Sequence, residues 1–222
     1  MLTVFALFAA ACGDTAPAPP DPADPASSLP RPEVGDEPAL AGEHERREAV
    51  FAGGCFWCVE AVFEQLAGVY GVTSGYAGGR ADEASYQAVA SGQTDHAEVV
   101  HIAYDPARIS YATLLRVFFA THDPTQLNRQ GPDRGRQYRS AVFYAHDWQR
   151  EQAQAYIDQL NEAGIYPQPI VTTLEPLAAF FPAEAFHQDF VANNPDHPYV
   201  RAWALPKIEK VQDTFGDALR EE

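Results

Sequence analysis

Phe51-Ala-Gly-Gly-Cys-Phe-Trp-Cys-Val-Glu60 constrains this chain more than any other stretch. A short apolar run, Ala49-Val50-Phe51, reads as the end of a strand. Gly53-Gly54 breaks it, supplying backbone freedom and letting another group approach the main chain closely. From Val59 the apolar residues fall at Val59, Val62, Phe63 and Leu66, a helical spacing. Cys55 is therefore expected on the first turn of a helix, where unpaired N–H groups and the positive dipole end converge. That environment predicts a lowered thiol pKa and a nucleophilic thiolate. Cys58, three residues on, shares the helix face and lies within reach for a disulfide. Two blander readings compete: a buried Cys as a small hydrophobe, and C-x-x-C as half of a zinc site. Zinc needs a second ligand pair. The remaining Cys is Cys12, and no His pair has finger spacing, so no metal site is expected.

The rest of the chain sets the frame. Its 222 residues, 46% hydrophobic and 12% aromatic, suit one globular domain with a sizeable core. A formal net charge of −16 argues against nucleic acid as a partner, because phosphate binding needs a basic face. Met1 to Ala11 is apolar apart from Thr3 and leads through small residues to Cys12. It is too short to span a bilayer and resembles a signal-peptide apolar region. Residues 1–12 thus read as a signal peptide and lipobox with Cys12 as the lipidated N-terminus, which implies an exported, membrane-anchored lipoprotein on the periplasmic or cell-surface side. The competing reading is an uncleaved N-terminus. Residues 13–45 interleave eight prolines, Pro17 to Pro38, with Ala, Ser and acidic residues. That density favours polyproline II, and a disordered, semi-extended tether of up to about 100 Å is expected. Residues 46–222 form the expected catalytic domain.

Within that domain, Gly68 to Gly79 suits a strand entering a loop, and Ala84 to Ala90 a short helix holding Tyr86. Ala97 to Tyr104 is a β run. Ser110 is the expected N-cap of an amphipathic helix carrying Leu114, Leu115, Val117, Phe118 and Phe119. His122 to Arg139 is a long polar loop, a length that in a compact domain often serves function. Ser140 to Ala145 reads as a strand, and Asp147 as the cap of a helix that runs to Glu162 and ends at Gly164. Pro169 to Leu174 reads as a strand, Ala183 to Asn193 as a helix, Asn194 to Tyr199 as a loop, and Pro206 to Phe215 as a final helix. Alternating strands and helices place the class as α/β or α+β with one mixed sheet.

Four further residues could complete a site around Cys55. Glu98 sits among apolar neighbours, where a carboxyl can hold its proton at neutral pH. Tyr86 and Tyr138 can donate hydrogen bonds to an oxygen, and Asp133 lies in the long loop. Taken one at a time, each is more ordinary as a structural residue.

Gly54-Cys-Phe-Trp57, His96-Ala-Glu-Val-Val100, Tyr104-Asp-Pro106, His122-Asp-Pro-Thr125 and Gln137-Tyr-Arg-Ser140 together resemble the A-type peptide methionine sulfoxide reductases. The segments keep that family's order, and the likeness runs from about Glu48 to about Pro198. The resemblance implies a single α/β domain, an α+β two-layer sandwich with a mixed β-sheet, flanking helices and a ferredoxin-like core. It implies reduction of the S epimer of methionine sulfoxide, free or in oxidised proteins and peptides. Cys55 would attack the sulfoxide sulfur, Glu98 supply the proton, Tyr86 and Tyr138 polarise the oxygen, and Asp133 help arrange the site. Phe56 and Trp57 would wall the S-methyl group. Cys55 would be left as a sulfenic acid. Many relatives resolve it with a cysteine near the C-terminus. This chain has none after Cys58, which takes a position where many members carry Gly, so Cys58 is the expected resolving cysteine. No bound cofactor is expected; an external thioredoxin-like dithiol is the expected reductant and the protein a monomer. Phe186 and Phe190 stand where the family usually has Tyr, and His187 is assigned no catalytic role.

Three rival readings stay open on the residues alone. A generic thiol–disulfide oxidoreductase explains the C-x-x-C but not Glu98, Tyr86 and Tyr138. A zinc deaminase matches His96-Ala-Glu98, but its Pro-Cys-x-x-Cys pair should follow that motif. An inactive surface-tethered binding module has no need of Cys55 and Glu98.

Overall fold

The computed structural model describes residues 29–35, 37–38 and 46–220. The apolar N-terminal run, Cys12 and residues 13–28, 36 and 39–45 of the expected tether lie outside them.

Six strands form one sheet: β1 (Arg47–Gly53), β2 (Val69–Ala77), β3 (Ala97–Tyr104), β6 (Ser140–Tyr144), β7 (Thr173–Pro176) and β8 (Phe180–Pro182), in the order β7-β6-β1-β3-β2-β8. A separate small hairpin pairs β4 (Arg129–Gln130) with β5 (Asp133–Arg134). The central four strands are antiparallel, and β7 adds parallel to β6, so the sheet is mixed. Helix α1 (Phe56–Phe63) joins β1 to β2, and α3 (Tyr111–Thr121) lies between β3 and β6. That β-α-β-β-α-β path, with spatial order β6-β1-β3-β2, is the ferredoxin-like core. The other helices are α2 (Tyr86–Ala90), α4 (Asp147–Glu162), α5 (Phe190–Asn193) and α6 (Leu205–Thr214).

The period of two decides what each strand delivers to which face. Along β1, Phe51 joins the main core beneath the helices, stacking on Phe118 at 4.9 Å and facing Phe63 and Tyr111. Val50 and Ala52 point the other way, into a smaller cluster with Val99, Ala141 and Phe143. On β3 the alternation sends Val99 to that small cluster and Val100, Ile102 and Tyr104 toward the helices. Glu98 is in phase with the second set. A carboxylate is thus carried to the helix-covered face, beside the start of α1.

Several boundaries differ from the sequence expectation. The strand expected at Pro169–Leu174 forms at Thr173–Pro176, where it can pair with β6. His146, not Asp147, is the N-cap of α4, its N–H donating to Gln149. The helix expected over Ala183–Asn193 is broken: β8 precedes it, Ala185–His187 makes one tight turn, and Asp189 takes φ +52° before α5.

The largest departure is in the proline-rich stretch. Residues 29–35 and 37–38 are not a free tether but a strap across α3 and α4. Leu29 is 2% exposed in the main core. Polyproline-type backbone leaves its carbonyls unpaired, and helix side chains take them. Arg116 donates to Leu29 O (3.0 Å), Tyr156 to Pro30 O (2.9 Å), Gln159 to Arg31 O (3.0 Å) and Gln152 to Gly35 O (2.6 Å). Glu37 then accepts from Arg47 (2.6 Å), the Tyr104 hydroxyl (3.2 Å) and the Tyr111 N–H at the start of α3.

Candidate active site

The β1–α1 turn places Cys55. Gly54 sits at φ +95°, and a Cβ there would lie 2.6 Å from Gln130 Cβ and Cγ. Only glycine meets both conditions. Gln130 is itself fixed by two hydrogen bonds to the Asp123 backbone. The β4–β5 hairpin is therefore held against the turn, and Asp133 arrives on it.

Cys55 is the N-cap of α1, and its carbonyl accepts the Cys58 N–H (3.2 Å) and Val59 N–H (3.4 Å). Its side chain offers no cap hydrogen bond. The Phe56 N–H donates instead to Glu98 Oε2, at 3.1 Å. Glu98 is 2% exposed, and burial pushes its pKa up to about 8; the Phe56 N–H pulls it back, and the nearby Asp133 and Cys58 raise it. The carboxyl is therefore mostly protonated at pH 7. With Oε2 engaged as an acceptor, Oε1 is left to carry the proton.

The lowered Cys55 pKa expected from the helix N-terminus is reversed in this resting site. The thiol is raised well above its usual range, first by burial, then by its hydrogen bond to Cys58 and by Glu98. The dipole of an eight-residue helix contributes about 1 kcal/mol, less than complete desolvation costs. Cys58 is lowered to about 7, chiefly by the hydrogen bond from Cys55 against its own burial, and further by Lys207 and Tyr199. A hydrogen bond from Cys55 to Cys58 joins the two side chains. Both cysteines are free thiols, poised but not bonded.

The residues singled out by sequence converge. The titrations of Tyr86 and Tyr138 are raised by burial first and then by Glu98, with Cys55 and Asp133 adding to both. The N–H of Tyr86 donates to Glu184 (2.9 Å), which also receives the Tyr76 hydroxyl (2.9 Å). Tyr138 closes a single turn, Arg136–Tyr138, whose Gln137 reaches the Ala90 carbonyl at the end of α2 (3.4 Å). That link ties the two tyrosine-bearing segments together. Burial raises the Asp133 carboxyl, while Tyr199 and Lys207 draw it down.

Phe56 and Trp57 are not an open wall here. Phe56 is 1% exposed, within the core. Trp57 stacks on Phe190 at 3.7 Å and 8°, and its indole N–H donates to His187 Nδ1 at 3.1 Å. Neither ring lines the cavity that opens beside the thiols. An indole only donates, so His187 carries its ring proton on Nε2. His187 is 1% exposed and packs between Tyr86 (4.4 Å) and Phe56 (5.0 Å). The absent hydroxyl at Phe190 leaves that stack intact, while Phe186 is 65% exposed.

Sequence reasoning missed Tyr199. Its hydroxyl donates to Asp133 Oδ2 at 2.5 Å and reaches both thiols. A π-helical turn, Val200–Ala204, follows and runs into α6. Such turns often mark functional sites. Behind it, a cavity of about 560 Å³ opens on the two cysteines, lined also by Asp133, Tyr199, Trp203 and Lys207. Among the described residues no cluster of three His, Cys, Asp or Glu side chains is arranged to hold a metal ion. His96, of the H-x-E pattern, is bound to the Arg80 carbonyl at 2.8 Å.

The family model described as peptide methionine sulfoxide reductase matches residues 47–219. Peptide methionine sulfoxide reductase MsrA 2 of Synechocystis is 50% identical over 193 residues, covering 86% of this chain and 90% of that protein. The MsrA of Natronomonas pharaonis is 56% identical over 169 residues, covering 76% and 95%. Among solved structures, reduced Mxr1 of Saccharomyces cerevisiae aligns with a TM-score of 0.62 at 32% identity, covering 76% of this chain and 94% of that one. Methionine sulfoxide reductase A of Corynebacterium diphtheriae aligns at 0.61 and 32%, covering 75% and 86%. A buried cysteine at a helix start, a neutral carboxyl beside it and two tyrosines around them thus sit in a chain that belongs to the peptide methionine sulfoxide reductase family.

Proposed function

We propose that the chain reduces the S epimer of methionine sulfoxide, protein-bound or free, to methionine, with these residues in these roles. The observation that carries the assignment is the buried Glu98 carboxyl held by the N–H of Phe56, the residue after Cys55, where burial pushes its pKa up to about 8. Glu98 gives its proton to the sulfoxide oxygen as Cys55 attacks the sulfur, and the Tyr86 and Tyr138 hydroxyls hold that oxygen. Asp133 and Tyr199 arrange the thiols. Oxygen passes to Cys55, which becomes a sulfenic acid, and methionine leaves. Cys58, already hydrogen-bonded to Cys55, attacks that sulfur; water departs and a Cys55–Cys58 disulfide forms. Phe56 and Trp57 supply the apolar surface for the methyl group, with Phe190 stacked on the Trp57 ring.

Recycling falls to a thioredoxin-like dithiol, and no bound cofactor takes part. The apolar Met1–Ala11 run before Cys12 supports export and lipid anchoring of Cys12, with the segment before residue 29 as a spacer from the membrane.

The test is one equivalent of an S-sulfoxide methionine peptide added to the reduced protein without reductant. One methionine with a Cys55–Cys58 bond by mass mapping is expected. Methionine with a lingering sulfenic acid removes Cys58 from the scheme. No methionine, with insulin disulfides reduced instead, replaces the activity with general thiol–disulfide exchange.

A further inference from the structure

Tyr86, the first residue of α2, begins its helix without a local cap, since the Ser85 side chain makes no capping hydrogen bond. Its N–H donates instead to Glu184 Oε1 at 2.9 Å, a residue distant in sequence. The second oxygen, Glu184 Oε2, accepts the Tyr76 hydroxyl at 2.9 Å. Tyr76 is fully buried on β2, directly across from Glu98 on β3. Glu184 is itself fixed by the sheet. Phe181 of β8 pairs opposite Tyr76, and the Ala183 N–H donates to the Ser74 carbonyl at 2.9 Å. One carboxylate therefore joins the strand pair that carries Glu98 to the helix that carries Tyr86.

The same residue opens the tight turn Ala185–His187, its carbonyl accepting the His187 N–H at 2.9 Å. That turn lays the His187 ring 4.4 Å from the Tyr86 ring. Tyr86 is thus held at its backbone and against its ring from one short segment.

We infer that Glu184 is a positioning residue for the sulfoxide step: it fixes the Tyr86 hydroxyl relative to Glu98, so that both meet the same sulfoxide oxygen. The inference rests on the oxygen-holding role given to Tyr86 above. A five-residue helix has little stability of its own, so the place of α2 is set by what fastens it. Its far end is tied to Gln137 by the longer bond at 3.4 Å. Its near end has a carboxylate at a helix N-terminus, where the dipole favours negative charge and a charged acceptor makes a stronger bond. Burial works against that charge, but the Tyr86 N–H, the Glu184 N–H and the Tyr76 hydroxyl together hold the carboxyl below its usual pKa, so both oxygens accept at pH 7. Misplacing a reacting group by about 1 Å can cost about a hundredfold in rate, so a loosened α2 is felt in the chemical step.

The experiment is a double-mutant cycle on the full chain, read as single-turnover methionine formation from a limiting S-sulfoxide peptide at several enzyme concentrations. Glu184→Met, which keeps length but accepts no N–H, should lower the maximal rate about tenfold, with the half-saturating enzyme concentration within about twofold of wild type. Glu184→Gln should restore the rate, its oxygen taking the Tyr86 N–H and its amide donating to the Tyr76 oxygen. Tyr76→Phe, which deletes one hydroxyl, should slow the step about threefold and carries the test if the Met variant does not fold. In a Tyr86→Phe background both losses should shrink to less than about twofold, because the hydroxyl they misplace is already gone. A general structural defect would instead persist there in full. Losses that persist undiminished in that background, or wild-type rates for both single variants, overturn the inference. Tyr86→Phe alone at the wild-type rate removes the oxygen-holding role and the inference with it, an outcome visible before any Glu184 variant is compared.

Discussion

Raising the pH from 7 to 9 should disarm the acid of this enzyme while leaving its thiols ready. Glu98 titrates near 8. A group with that pKa is about nine-tenths protonated at pH 7 and about one-tenth at pH 9, while a thiolate forming near pH 7 about doubles, so the sulfoxide step should slow about fivefold across the interval. The thiol pair loses its first proton near 7 through Cys58, which sets a rising limb below that. The expected profile is a narrow bell between about 7 and 8. The assay is single-turnover methionine formation, with enzyme in excess over a limiting S-sulfoxide peptide, from pH 6 to 10. Glu98→Gln keeps the hydrogen bond to Phe56 but has no proton to give. It should lose about 10²- to 10⁴-fold and lack the falling limb. A wild-type rate that stays level to pH 9, or a Gln variant that keeps the falling limb, refutes the role of Glu98 as proton donor.

The same shift has a thermodynamic side with a definite sign. The folded pKa of Glu98 lies above its ordinary 4.5, so the folded state binds more protons than the unfolded chain between those values. The stability linked to that proton is complete below about 4.5 and is lost as pH rises through about 8. Glu60 and Glu64, both pushed by burial to about 7, act in the same direction. Tm should therefore fall from pH 5 to pH 8, and Glu98→Gln should flatten part of that fall in scanning calorimetry.

Cys58→Ser should still release one methionine per enzyme, without a disulfide, but slow steady-state turnover with a protein dithiol by about tenfold or more; unchanged turnover excludes the resolving role. Glu37→Ala removes the acceptor shared by Arg47, Tyr104 and the Tyr111 N–H, and should lower stability by about 3 kcal/mol in urea unfolding. A loss under about 1 kcal/mol would show that the strap is not fastened there. Gly54→Ala meets a positive φ and the Gln130 side chain at once, and should cost about 2 kcal/mol or more and displace Cys55, read as lost single-turnover activity.

What could be read without coordinates was local. The β1–turn–α1 unit announces itself because two glycines separate a strand-like run from a helical one, and Ser110 accepts the Thr113 N–H as its position before an amphipathic helix suggests. What could not be read depends on partners distant in sequence. Residues 29–38 have a tether's composition, yet Gln152, Tyr156 and Gln159 on α4 satisfy their carbonyls from more than a hundred residues away. Tyr199 is an unmarked loop residue until the hairpin brings Asp133 to its hydroxyl. The Cys55 thiol shows why position within an element is not enough. A helix start predicts a thiolate, but the glycine turn, β3 and the C-terminal turn together bury that sulfur and set a carboxyl beside it. The lowered thiol is instead Cys58, brought to about 7 chiefly by the hydrogen bond from Cys55. The spacing that places Cys58 one turn after Cys55 already joins the two side chains by a hydrogen bond, and it is the same spacing that the proposed disulfide requires.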